Sequence, residues 1–169
     1  TLVVIISIFG PISGAHFNPA VSLIFWLKKI ISLSDLVAYV LFQIIGAIFG
    51  CLAANIIFEL PIITISTNVR HDLSQFLSEI LATFGLVLVI FLAREVARLN
   101  IPVIVGSYIA SAYWFTSSTS FANPAVTIAR QFSDTFTGIS PSGIPSFVLA
   151  QIFGAILGYI VVQWLFRSV

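Results

Sequence analysis

The stretch SGAHFNPAV, residues 13–21, has a partner in SFANPAV, residues 120–126, with the two asparagines 105 positions apart. Both place Asn-Pro-Ala-Val inside apolar sequence, where a proline would interrupt any helix already running. The same letters suit a helix that starts there. Asn is a favoured N-cap and Pro is favoured in the first helical turn, so each motif reads as a loop leading into a helix. The segments AVSLIFWL and AVTIARQF, which complete the two motifs, are apolar but far shorter than the ~20 residues that cross a bilayer. Such half-helices are tolerated at membrane depth only where their irregular backbone is buried in protein or lines a watery cavity.

The composition requires a membrane. The 169 residues are 59% hydrophobic and 8% charged, with a mean hydropathy of +1.14, whereas soluble domains carry about 25% charged residues. Six acidic groups nearly balance seven basic ones, which gives no reason to expect a nucleic-acid partner. The single cysteine, Cys51, excludes an intrachain disulfide and a Cys-rich metal site, and reads as a packing residue. No metal site or cofactor is expected. Residues 1–10, TLVVIISIFG, lack the features of a cleavable signal and read as the end of an apolar helix.

Spanning helices are predicted over about 35–58, 74–93, 101–119 and 144–166, joined by polar segments. Gln43–Gly50 reads QIIGAIFG and Gln151–Gly158 reads QIFGAILG, six identities in eight. Asn18 to Gln43 is 25 residues and Asn123 to Gln151 is 28, so the same elements recur in order with a three-residue insertion. Small residues at this spacing also serve tight helix packing, but coupled to the repeated Asn-Pro-Ala-Val they indicate duplication. The first repeat is taken as 1–60 and the second as 72–167, within a single transmembrane domain over 1–169. Three spans separate the motifs, an odd number, so the repeat is inverted and the motifs enter from opposite faces. Lys28, Lys29, Arg94, Arg98 and Arg167 fall on one side and Arg70 and Arg130 on the other, which makes the first side cytoplasmic. By the same alignment of halves, one helix and part of another are expected before Thr1.

Two opposed half-helices meeting near the midplane present their positive ends to one another. Asn amides there offer donors to a polar solute, loop carbonyls offer acceptors, and the facing dipoles oppose cations. The hydroxyl-rich Thr116–Ser120 could extend the polar strip. A neutral, hydrogen-bonding solute suits these groups.

With its duplicated halves, SGAHFNPAV and FANPAV, the whole chain resembles the aquaporin and glycerol-facilitator family of membrane channels. The resemblance implies an all-α inverted repeat with re-entrant half-helices around an hourglass pore, four subunits to a tetramer, and location in the cell membrane. Carried over by motif, Asn18 and Asn123 are expected to be central pore amides, with Pro19, Ala20, Pro124 and Ala125 shaping the junction. His16 matches a position near the cytoplasmic entrance, where it either lines the pore or only anchors its loop. Glu79 is expected to accept backbone N–H bonds from the second re-entrant loop; facing lipid it would be costly. His71, in a polar connection, is expected to be solvated.

One departure stands out. Most relatives carry arginine directly after the second Asn-Pro-Ala, where this chain has Val126. Arg130, one helical turn further on, is not expected to reach the same point. Ser111 and Ser120 match two other filter positions, and the fourth would lie before Thr1. Small residues at 111, 120 and 126 imply a wide constriction without a fixed cation, passing water and small uncharged polyhydroxy solutes. Glycerol and arsenite, as its neutral trihydroxide, are the candidates, since TSSTSFANPAVTIARQFSDTFTGISPSG is similar to a bacterial branch associated with arsenic resistance. Among other classes, an ion-coupled transporter would need a coupling site, and Glu79 is the sole carboxylate within a span. An ion channel would need a charge ring or carbonyl filter, and a hydrolase an ordered nucleophile motif; neither is visible. A non-conducting fragment stays open.

Overall fold

The computed structural model describes residues 1–95 and 100–167, all-helical with no strand among them. Arg98, one of the residues that orient the chain by charge, lies outside the described residues. Among the described residues seven α-helices succeed one another: α1 Leu2–Ser13, α2 Pro19–Leu27, α3 Leu33–Ile57, α4 Leu73–Glu95, α5 Ile101–Phe115, α6 Pro124–Ala129 and α7 Ile144–Arg167. Helices α3, α4 and the segment ending in α7 are long and apolar enough to cross a membrane.

The boundaries arise from local chemistry. Helix α1 stops at Gly14, whose left-handed conformation returns its N–H to the Gly10 carbonyl. Helices α2 and α6 both open on Asn-Pro, with the asparagine extended and its side-chain oxygen capping the first turn. Ser32 and Asp35 form a reciprocal capping box at the start of α3. Helix α5 ends at Phe115, short of the boundary at 119 that the sequence predicts. Thr119 and Ser120 take positive φ, which no helix accommodates, so Thr116–Ser120 turns back toward the second half-helix.

The bundle core is built on α4. Ala82, Leu86, Val87, Ile90 and Phe91 pack against Val21, Ile24 and Phe25 of α2 and Ala155 and Val162 of α7. Helix α7 comes close to α4 because Gly154 and Gly158 face the Ile80 and Phe84 carbonyls, where a Cβ would not fit. Among the described residues no atom lies within 4 Å of a would-be Cβ at Gly46 or Gly50 of α3. Large apolar side chains such as Phe42 and Trp114 lie exposed around the outside, as a lipid-covered surface requires.

The half-helices approach α4 from its two ends. The outer end of α2 lies beside the C-terminus of α4, where Lys28 meets Glu95 at 3.4 Å and Arg94 lies over Phe25. The outer end of α6 lies at the other end, where the chain after it bonds to residues 64–70, just before α4 begins. Between them the two Asn-Pro corners touch.

Candidate functional site

The contact between the corners is reciprocal. Asn18 Nδ2 donates to the Ala122 carbonyl at 2.7 Å, and Asn123 Nδ2 donates to the Phe17 carbonyl at 2.8 Å. Each asparagine also caps its own helix, its Oδ1 accepting from the Ala20 N–H at 2.9 Å or the Ala125 N–H at 3.0 Å. A primary amide has two N–H donors, so one hydrogen on each Nδ2 remains free. Both asparagines line a single cavity of about 590 Å³. Pro19, Ala20, Pro124 and Ala125 are buried beside them and form the junction itself.

The loops that deliver the asparagines are built alike. Positive φ falls at Gly14, Ala15 and Phe17 before Asn18, and at Thr119, Ser120 and Ala122 before Asn123. The offsets from the asparagine are the same. Left-handed conformations at non-glycine residues cost on the order of 1–3 kcal/mol each, so the surroundings must hold these loops in place.

For the second loop, Glu79 does so. Its fully buried carboxylate accepts from Ser118 Oγ at 2.6 Å, the Phe121 N–H at 2.8 Å, the Ala122 N–H at 2.8 Å and Gln151 Nε2 at 2.6 Å. Charge-assisted bonds of this kind are roughly twice as strong as neutral ones. Gln151 Nε2 also donates to Thr127 Oγ1 at 2.8 Å, which ties α7 to α6. The first half repeats that last link: Gln43 Nε2 donates to Ser22 Oγ at 3.0 Å. Ser22 and Thr127 each stand four residues after their asparagine. In the sequence the two glutamines stand out only as letters of a repeat, and their bonding partners are not evident. A polar residue heading an otherwise apolar repeat, and a hydroxyl one turn after each Asn, were the available signals.

His16 is anchored and also lines the cavity. Its Nδ1 lies 3.1 Å from Ser22 Oγ, its ring stacks on Tyr39 with centroids 5.0 Å apart, and it borders the same space as Asn18. His71 is exposed. Cys51 is a half-buried free thiol on α3.

Of the three filter candidates, Ser120 and Val126 line the cavity together and Ser111 does not. Ser111 is exposed on α5, and its hydroxyl turns back to the Ser107 carbonyl at 2.9 Å. Arg130, one turn beyond Val126, borders the same cavity. Residues four apart share a helix face, and the guanidinium lies over the Phe121 ring, 4.3 Å from its centroid. Arg70 also lies against that ring but is a structural cation. Its Nε, Nη1 and Nη2 donate to the carbonyls of Gly138, Ser118 and Phe136. Burial pulls its pKa down and the Glu79 carboxylate pulls it back up; an arginine keeps its charge in proteins regardless.

Among the described residues no cluster of His, Cys, Asp or Glu could hold a metal ion. The arrangement offers amide hydrogens, hydroxyls, an imidazole and two guanidinium groups along an otherwise apolar cavity. That chemistry suits binding and passage more than bond-making.

Comparison with known proteins adds to this. The family described as Major intrinsic protein matches residues 1–116. The chain is 49% identical over 166 residues to Aquaglyceroporin AqpS of Rhizobium meliloti (strain 1021), which covers 98% of this chain and 71% of that protein. It is 27% identical over 187 residues to an uncharacterized aquaporin-like protein of Haemophilus influenzae, with 99% and 87% covered. With Aquaporin-4 of Notomys alexis the identity is 32% over 162 residues, with 91% and 45% covered.

Proposed function

Because this chain belongs to the major intrinsic protein family of membrane channels, we propose that it is a passive conduit for water and small neutral solutes, glycerol and arsenite trihydroxide among them. One observation carries the reading. Two half-helices from opposite ends of the bundle meet at reciprocal Asn–carbonyl bonds, and both asparagines border one cavity with donor hydrogens to spare. A solute that accepts those hydrogens replaces part of its lost hydration. The facing N-termini disfavour a cation at the same point. The residues that act on solute are Asn18 and Asn123 at the centre, with Ser120 and Val126 toward the second half-helix and His16 toward the first. Glu79 acts through the loop it holds.

Small side chains at Ser120 and Val126 favour a passage wide enough for a polyhydroxy solute. The printed name of the Rhizobium relative, an aquaglyceroporin, supports the same choice. In this reading residues 1–60 and 72–167 are the two repeats of one channel domain, assembled as a homotetramer in the cell membrane. Arsenite rests on the Val126 position and on the sequence around the second motif.

Vesicles carrying the full-length channel provide the test. Osmotic shrinkage in impermeant sugar reads water flux, and reswelling in glycerol or arsenite reads solute flux. The expected result is water flux together with at least one solute flux. Water flux with neither glycerol nor arsenite uptake rejects the wide passage. Uptake that saturates and depends on an ion gradient would instead require a coupled transporter.

A further inference from the structure

At the outer end of the cavity two polar groups have no use yet. Among the described residues, Arg130 Nη1 and Ser120 Oγ are buried without a hydrogen-bond partner, although both residues border the cavity that holds Asn18 and Asn123. An unpaired buried donor is expensive, about 1–3 kcal/mol and more for a charged group. Natural structures leave few such groups, and each needs an explanation. Arg70, the other guanidinium at this end, has all three of its nitrogens committed to carbonyls. Arg130 rests on the Phe121 face at 4.3 Å. Stacking holds the plane of the guanidinium while leaving its N–H groups available.

We propose that Arg130 is a specificity-determining residue of the conduit, a fixed cation set one helical turn beyond Val126 that repels cations and, through the guanidinium nitrogens other than the buried Nη1, hydrogen-bonds the oxygen atoms of a passing solute. The claim rests on the channel reading and changes one part of it. Small residues at 120 and 126 widen the passage, and the charge is moved outward rather than lost. Width and charge selection, which one arginine beside the Asn-Pro-Ala corner would combine, are separated here along the helix. Solutes rich in oxygen acceptors are favoured. Neutral solutes without acceptors gain nothing at Arg130.

The experiment uses the full-length channel in phosphatidylcholine–phosphatidylglycerol vesicles, with water and glycerol flux read by light scattering and cation leak by a proton-sensitive dye under a clamped potential. Wild type is compared with Arg130→Ala, Arg130→Lys and the double change Val126→Arg with Arg130→Ala. Removing a unit charge about 4 Å from the path raises cation leak by about a thousandfold at an effective dielectric of about 20 and about sixfold at the dielectric of water, so a rise of at least about sixfold is expected. Arg130→Ala is expected to show that rise, Arg130→Lys to keep cations out, and the double change to restore exclusion while slowing glycerol. Equal leak in wild type, Arg130→Ala and Arg130→Lys overturns the proposal. If Arg130→Ala abolishes all flux, Arg130→Lys decides: conduction with cations excluded supports the role, and a silent channel makes Arg130 a packing element. Wild-type vesicles no faster than empty ones overturn the channel reading itself, and this proposal with it.

Discussion

Replacing Glu79 by Gln changes one atom and tests what holds the second half-helix in place. The carboxylate accepts four hydrogen bonds, two on each oxygen. In glutamine one oxygen becomes an NH2 group, which would face two donors. If it replaces Oε2, those are the Ala122 N–H and Gln151 Nε2. Gln151 can flip its amide to present oxygen, but the flip breaks the 2.8 Å bond to Thr127 and strands an NH2 where Gln151 Oε1 now has no partner. The Ala122 N–H has no such escape. Taking hydrogen bonds to a charged group at about 1.5–3 kcal/mol each, and crediting a partial rescue, the change destabilises by on the order of 2–4 kcal/mol. Total stabilities are only about 5–15 kcal/mol. Because Ala122 also supplies the carbonyl that Asn18 bonds, the loss reaches the Asn-Pro corner. The assay is unfolding in mixed micelles monitored by circular dichroism, alongside water flux in vesicles. A markedly lower midpoint with reduced flux is expected. A midpoint and flux equal to wild type would show that the carboxylate does not hold the loop, and the reasoning from its four bonds would be wrong.

Three further outcomes are expected. Val126→Arg places a long cation in the cavity beside Arg130 and should cut glycerol uptake severalfold more than water flux; unchanged uptake of large neutral solutes would mean that Val126 does not line the constriction. Asn123→Asp keeps the helix cap but removes the donor to the Phe17 carbonyl and adds a negative charge, so water flux should fall and cation leak rise, read in the same vesicles. Gly154→Ala drives a methyl group into the Ile80 carbonyl, and overpacking of that kind costs about 1–3 kcal/mol, visible as a lower unfolding midpoint in micelles.

Much of the fold was open to inspection in the letters because it rests on short-range effects. Asn before Pro starts a helix through one side-chain cap and one fixed φ, both decided within four residues. Apolar runs of about 20 residues set the spans, and the duplication was visible in QIIGAIFG against QIFGAILG. The early end of α5 was not visible, since the left-handed turn at Thr119 and Ser120 is imposed by non-glycine residues with no turn signature. Within the site, the placement of Asn18 and Asn123 at helix starts could be argued from sequence. The partners of Glu79 at Ser118 and Gln151 could not, nor could the reach of Arg130 back to Phe121.

The division has a physical cause. Composition and helix starts depend on single residues and their near neighbours, and the sequence by itself determined them. Which groups then meet depends on closing loops of forty to over one hundred residues, as in Glu79 with Phe121 or Asn18 with Ala122. Likewise Gly154 and Gly158 of α7 face the carbonyls of Ile80 and Phe84, far away along the chain. The letters mark these glycines, and only the tertiary structure decided what they face.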